Sequence, residues 1–368
     1  MDDLEQVLAK DDLTSEEIVG LLDLRDSAEL ESLRRAAYDA ATAVSGDNVF
    51  MRGLVEMSNV CSRDCFYCGI RRSNRAVERY QLEKAEIVEC ALWSARQGYG
   101  SCVIQSGERQ DAAFAEFVED CVREIKAGSR SADLPDGLGI TLSLGEQSED
   151  VYRRWFEAGA HRYLMRIETS NPDLFRSLHP ESQTFESRLQ SLSKLNKAGY
   201  QVGTGVMIGL PGQTVNDLAN DILFFKERDI DMIGMGPYIT HPGTPMADRG
   251  MMDRDELLRL TLNMVATTRL VLKDVNIAAT TAMQTIAPDG REQAIACGAN
   301  VVMPNLTPVA VRENYLLYSG KPCIDEDRAE CRGCLSRRIE SVGRRVGWND
   351  WGDAPHFARR RGESDATA

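Results

Sequence analysis

Positive charge is in short supply in this 368-residue chain. Its 43 lysines and arginines stand against 57 aspartates and glutamates, for a formal net charge of −14 at pH 7. That balance argues against a nucleic-acid-binding surface, because a phosphate backbone demands a basic footprint. Long apolar runs are also missing, and none approaches the roughly 20 residues that a membrane-spanning helix needs. The opening stretch, MDDLEQVLAKDD, lacks the basic and apolar regions of a secretory signal. These absences lead to the expectation of a soluble, cytoplasmic protein. At 43% hydrophobic residues the chain can still bury a large core, enough for one large α/β domain or two smaller ones.

Cysteine, by contrast, is plentiful. Ten cysteines in a chain of this kind point to reduced thiols and metal ligation rather than disulfides. Three lie in Cys61-Ser-Arg-Asp-Cys65-Phe-Tyr-Cys68, directly after the apolar run 49–57. Three thiolates so spaced can hold three irons of a cubane cluster and leave the fourth without a protein ligand. An open metal position is the mark of a catalytic site. Half a zinc site or a redox CxxC pair are the alternatives that the spacing leaves open. A second trio, Cys323, Cys331 and Cys334, is one short of a four-thiolate site. It suits zinc with a fourth ligand such as His356, or a second, peripheral iron–sulfur cluster. Cys90, Cys102, Cys121 and Cys297 fall inside apparent helices or strands, where a small buried hydrophobe is expected.

Residues 1–47 read as a helical cap, with Asp12 or Thr14 as a helix start. From Val49 onward one rhythm repeats. Strand-like runs occur at 49–57, 101–105, 138–144, 162–168, 200–208, 231–236, 275–281 and 299–303. Amphipathic helical stretches separate them at about 83–98, 112–127, 148–158, 184–198, 214–228, 253–272 and 289–297. Eight strands alternating with helices predict a parallel sheet closed as a (β/α)8 TIM-type barrel, here residues 48–308. A doubly wound sheet shares the pattern, but the polar and special residues collect at strand C-terminal ends, where a barrel places its active site. Examples are Gln105 to Glu108, Ser143 to Glu146, Arg166 with Glu168, Met207 to Gly212, Met232 to Gly236, and Thr280 with Thr281. Arg166 and Glu168 stand at i and i+2, on one side of a strand, where a charged pair facing the lumen needs a partner or a ligand. Arg188 follows on a helix, from which its fork can reach a carboxylate. Beyond the barrel, residues 309–357 form an extension carrying the second trio, and 358–368 read as a disordered tail.

The segments VEMSNVCSRDCFYCGIRRSN (55–74), VIQSGE (103–108), TLSLGE (141–146), ETSNPDLF (168–175), MIGLPGQT (207–214), IGMGPYITHPGTP (233–245), ATTAM (279–283) and GANVVMPN (298–305) together resemble one family. It is the HydE family of radical SAM maturases of FeFe-hydrogenase, related to biotin synthase and methylornithine synthase. The likeness spans residues 48–355. It implies a complete barrel of the radical SAM superfamily, with a catalytic 4Fe-4S cluster on Cys61, Cys65 and Cys68 and S-adenosyl-L-methionine bound beside it. In that superfamily an electron from the cluster cleaves the cofactor to a 5′-deoxyadenosyl radical. The resemblance further implies cofactor-binding roles for Tyr67, Gln105, Ser143, Glu168, Arg188, Met207 and Met232. Arg166, Thr280, Thr281 and Tyr315 would face the substrate. Cys323, Cys331 and Cys334 would hold a second cluster, either 2Fe-2S or 4Fe-4S. Ile167 departs from the family pattern, where a histidine is expected, but strand alternation turns it away from the lumen.

By the same resemblance, the enzyme helps assemble the two-iron unit of the hydrogenase active site. Its substrate would be a cysteine-bound organometallic iron synthon. Its partners would be a tyrosine lyase and a GTPase scaffold, with flavodoxin or ferredoxin as electron donor. Two other readings stand beside this one: a methylornithine-synthase-like radical SAM mutase, and a non-catalytic iron–sulfur scaffold or carrier.

Overall fold

The first strand, Asn48–Ser58, sets the architecture by alternation. Val49, Met51, Val55 and Met57 belong to the main apolar core, whereas Arg52 and Glu56 are buried polar groups with interior partners. A strand that is apolar outward and polar inward belongs to a barrel with helices on its outside. The computed structural model describes residues 4–362. Its parallel strands follow Asn48–Ser58 as Ser101–Ser106, Gly139–Ser143, Arg162–Leu164, Gln201–Thr204, Met232–Ile233, Asn276–Ile277 and Val301–Val302. The eighth pairs with the first, and a parallel bridge from Ala278 to Val301 joins the seventh to the eighth. The expected (β/α)8 barrel is what the chain forms.

Seven helices fall where the periodicity put them: Lys84–Arg96, Ala112–Gly128, Glu149–Ala158, Phe185–Lys197, Val215–Glu227, Arg254–Val271 and Gly290–Ala296. Several start on side-chain caps that satisfy orphan N–H groups. Asp111 accepts from Phe114, Ser148 from Val151, Thr184 from Ser187, and Thr214 forms a capping box with Asp217. Before the barrel, Ser15–Leu22 and Ser27–Ser45 pack against the helices 215–227 and 254–271. Among the described residues no helix is long and apolar enough to cross a membrane.

Several boundaries differ from the sequence reading, and the fourth strand, expected over 162–168, ends at Leu164. The runs 200–208 and 231–236 each break, and their second pieces, Met207–Ile208 and Gly236–Pro237, pair with each other as a separate two-stranded sheet. At the break two backbones touch: a Cβ on Gly205 would stand 1.9 Å from the carbonyl oxygen of Gly234. The seventh strand stops at Ile277, and Thr281 opens the helix Thr281–Ile286 instead of ending a strand. The tail is also ordered further than expected. Arg359 and Arg360 lie on the helix Pro355–Arg360 and pair with Asp274 and Asp231 at 2.8 Å, partners too distant in sequence to be read from composition. The rest of the expected tail, 363–368, lies outside the described residues.

The segment 351–354 closes the end of the barrel where the strands begin. The Gly352 carbonyl accepts from Arg52 at 2.9 Å and from Asn276 at 2.8 Å. The Trp351 carbonyl accepts from Ser101 and Arg162, both at 2.9 Å, and the backbone N–H of Ala354 donates to Gln201 at 3.0 Å. Arg162, fully buried, also reaches Thr141 at 3.0 Å and pairs with Asp353. Five strands thus present an inward polar group to one strap of chain, which partners each of them at least once and leaves Arg52 Nε and Gln201 Nε2 unpaired. Breaking a buried pair by removing one partner leaves the other uncompensated. Arg162→Leu is therefore expected to cost about 3 kcal/mol of stability, read as a lowered urea midpoint. An unchanged midpoint would show that the strap does not depend on this arginine.

Candidate active site

The loop that carries the first cysteines leaves the first strand at Ser58 and is built on its own side chains. Arg79 is its strut, donating to the backbone carbonyls of Asn59, Ile70, Arg71 and Asn74 at 2.6–3.1 Å. Asn59 binds the carbonyls of Glu78 and Asn314 and accepts from the Tyr80 N–H. The Cys61 sulfur accepts from the backbone N–H groups of Arg63 at 3.4 Å and Glu108 at 3.3 Å, and the Cys65 thiol lies 3.5 Å from Gln183 Oε1. Burial pushes the Cys65 thiol up to about 12, and Cys68 is raised by burial and then by the Cys65 and Cys61 thiols beside it. Such a trio becomes a set of thiolates only against a strong positive charge, which the irons of a cluster supply. Among the described residues no three His, Cys, Asp or Glu side chains stand close enough to share one metal ion. Each of the three thiols on this loop can hold a different iron of a cluster.

The strand-end charges are paired rather than loose. Arg188 is buried on its helix, 2.8 Å from Glu146, and donates to the Arg166 carbonyl. Ser187 donates to the same Glu146 at 2.6 Å. The expected carboxylate partner of Arg188 is therefore Glu146, from the end of the third strand. Glu168 accepts from the Tyr67 hydroxyl and from Arg166 Nε, both at 3.1 Å. Its backbone is left-handed, with φ 66°, a conformation that costs a non-glycine residue roughly 1–2 kcal/mol. Backbone hydrogen bonds on both sides hold it there, to Gly205 at 2.9 Å and from Met207 at 3.0 Å. So Arg166 and Glu168 do meet, but through a strained turn beyond the fourth strand and not through strand alternation. Ile167 is fully buried in the main core, away from this pair.

Met207 joins Leu178, Leu210, Tyr238 and Met246 in an apolar cluster against which Phe66 and Tyr67 of the cysteine loop pack. Gln105 and Ser143 are neighbours in register on the second and third strands, and Gln105 lies beside the buried Tyr315. Thr280 lies over Gly236 and donates to the Met235 carbonyl at 3.1 Å. Thr281 is half-buried at the first position of its helix, without a hydrogen bond of its side chain among the described residues. Met232 needs correction. It begins its strand, accepts from Arg52 Nη1 at 3.0 Å and lines a cavity of about 40 Å³ near the floor, with Val103, Thr141 and Asn276. A residue at a strand start faces the strap, not the mouth.

Two residues that the sequence reading passed over stand at the mouth. Glu56 is 2% exposed and pairs with Lys321, whose ammonium also donates to the Tyr315 carbonyl at 3.0 Å and covers the Tyr315 ring. Glu56 was legible as an inward carboxylate needing a cation, since it shares a face with Arg52. Lys321 carried no local signal. In the second trio, the Cys323 and Cys331 thiols adjoin, Cys323 Sγ lies 3.5 Å from Arg291, and Cys334 accepts from Arg338 at 3.3 Å. His356 is not with them. Its ring nitrogens lie 2.9 Å from Asp231 and 3.1 Å from Asp229, beside the start of the sixth strand.

Comparison with known proteins places these features in a family. Residues 55–225 match the radical SAM superfamily. The FeFe hydrogenase maturase subunit HydE of Thermotoga maritima is 45% identical over 345 residues, covering 94% of this chain and 95% of the relative. The chain belongs to the HydE family of radical SAM enzymes. A biotin synthase of Corynebacterium glutamicum is 25% identical over 85% of this chain and 88% of its own length. The crystal structure of methylornithine synthase superposes with a TM-score of 0.76 at 23% identity, over 94% of this chain and 97% of that one, a likeness of fold. Membership of the radical SAM superfamily implies a 4Fe-4S cluster and S-adenosyl-L-methionine, and the thiol trio fits the first. The superfamily match includes the first trio, Gln105, Ser143, Arg166, Glu168, Arg188 and Met207, and ends before Thr280, Tyr315 and the second trio.

The turn that holds Glu168 rests on a buried acid. Asp221 is fully buried, accepts from the Ser170 N–H at 2.6 Å, and leaves its second oxygen without a partner. Burial pushes its carboxyl up to about 7. A carboxyl raised on folding binds its proton more tightly in the native state, so its contribution to stability is full below about pH 4 and is lost as pH rises toward about 7. Asp221→Asn keeps an acceptor for Ser170 and removes the charge. It is expected to be more stable than the parent by about 2–4 kcal/mol near pH 8, with the gap narrowing near pH 5. Urea unfolding at both values checks this, and a gap independent of pH would contradict it.

Proposed function

We propose that this chain cleaves S-adenosyl-L-methionine reductively at a cluster held by Cys61, Cys65 and Cys68, and that it serves in assembling the two-iron active-site unit of FeFe-hydrogenase. The observation that carries this reading is the near end-to-end likeness to the Thermotoga maturase. When bound, the cluster and the cofactor supply a 5′-deoxyadenosyl radical. The chain's own groups bind, orient and exclude water. Glu168, steadied by Tyr67, and Arg188, locked by Glu146, fix the cofactor together with Gln105, Ser143 and Met207. The apolar cluster around Met207 keeps water from the radical. Arg166, Thr280 and Tyr315 face the substrate, a cysteine-bound organometallic iron synthon. The partners are a tyrosine lyase, a GTPase scaffold and a small redox protein, in the cytoplasm.

The second trio holds a second iron–sulfur cluster. The contact between Cys323 and Cys331, with Cys334 one helical turn further on and Arg291 and Arg338 against the thiols, supports an anionic thiolate site. Cys331→Ala with Cys334→Ala is expected to lose iron while the reconstituted protein still forms 5′-deoxyadenosine. Loss of cofactor cleavage in the folded double variant would instead make this site part of the radical chemistry.

The main reading is tested by pairing two assays. Reconstituted, dithionite-reduced Cys65→Ser should form no 5′-deoxyadenosine, and the parent gene should restore active hydrogenase in a strain lacking this maturase. A Cys65→Ser protein as active as the parent would remove the catalytic assignment. Cofactor cleavage without complementation would favour a mutase of another pathway, and complementation without cleavage would favour a carrier.

A further inference from the structure

Between Cys61 and Tyr80 the chain carries five arginines against two acids, Asp64 and Glu78, in a protein whose formal net charge is −14. Three of the five are committed to the loop itself. Arg63 pairs with Glu108, Arg71 lies 2.9 Å from Asp64, and Arg79 binds four backbone carbonyls. Arg72 and Arg75 differ. Both are exposed, and among the described residues neither side chain makes a close ion pair or a hydrogen bond, though the Arg72 charge is felt at Asp64. Their backbone is nevertheless fixed against the cysteine loop. The Arg72 N–H donates to the Arg63 carbonyl at 2.8 Å, Ser73 donates to Asp64 from its N–H at 3.0 Å and its hydroxyl at 2.6 Å, and Asn74 donates to the Gly69 carbonyl at 2.7 Å.

Two unpaired guanidinium groups add little to folding. Held on the rim of the cysteine loop of an acidic molecule, they form a local positive field that a negatively charged body would follow inward. Resting on the function proposed above, the site beneath them needs one electron from outside, and electron tunnelling weakens steeply with distance. A donor must therefore dock on this side of the molecule. We propose that Arg72 and Arg75 form the docking rim for a small acidic one-electron carrier protein of the flavodoxin or ferredoxin type. In the step served, the reduced carrier loses one electron, the cluster on Cys61, Cys65 and Cys68 gains it, and no covalent bond changes.

The test compares the reconstituted parent with an Arg72→Glu/Arg75→Glu double variant, and with an Arg72→Lys/Arg75→Lys control. Stopped-flow absorbance follows reduction of the cluster by flavodoxin hydroquinone in one arm and by a reduced 2Fe-2S ferredoxin in the other. Dithionite-driven 5′-deoxyadenosine formation is measured on the same preparations. The expected result is a second-order rate with at least one carrier that falls about tenfold or more at low salt in the charge-reversed variant and loses its salt dependence. The lysine control should retain the parent rate, and dithionite-driven turnover should stay at the parent level. The arm affected names the carrier. Parent rates with both carriers in the charge-reversed variant would overturn the docking role. Equal loss with dithionite would also overturn it, because the substitution would then have damaged the site itself. Absence of dithionite-driven cleavage in the parent would instead bring down the function on which this inference rests.

Discussion

The structure turns on one constraint: a barrel lined with polar side chains must find partners for them inside the protein. At the floor, Arg52, Ser101, Arg162, Gln201 and Asn276 point into a space too small for bulk water, and the strap 351–354 answers them with backbone carbonyls, an N–H and Asp353. With that end sealed, the only place for chemistry is the opposite end, where the strands finish. The polarity of the barrel interior is thus sorted by height. Groups near strand starts are consumed by structure, and groups near strand ends remain for ligands.

The mouth obeys the same constraint with charges. Glu56 meets Lys321, Glu146 meets Arg188, Glu108 meets Arg63, and Glu168 meets Arg166. The Glu56–Lys321 and Glu146–Arg188 pairs are buried on both sides and so costly to break, whereas Arg63 and Arg166 keep partial exposure. Glu168 shows the limit of this order. Its left-handed backbone is retained because the bridge to Val206 and the bonds to Gly205 and Met207 leave the turn no easier path.

Much of this was legible in the sequence, and the failures have physical causes. Strand and helix periods located the eight strands and seven helices because amphipathic faces are written locally. The cysteine loop was legible because three thiols at short spacing have few other uses. Met232 was misplaced because a strand-like run does not reveal which of its residues lies at the mouth and which at the floor. The strap was missed because its partners are backbone carbonyls, which every sequence possesses. Lys321 was missed because its reason for being there, Glu56, lies far away in sequence and near in space. Arg359 and Arg360 looked like a loose basic end for the same cause, since their acids come from the loops before the sixth and seventh strands.

The order of the elements along the chain gives the strap a consequence for how the molecule comes into being. Residues 351–354 follow all eight strands, so on the ribosome every strand emerges before the piece that neutralises the floor. Until then, closing the sheet would strip Arg52 and Arg162 of water without giving them the carbonyls of Gly352 and Trp351. The half-made enzyme would remain an open, partly hydrated sheet through most of its synthesis. Closure would come late and as a single event, with the cysteine-bearing rim already exposed to whatever machinery delivers iron.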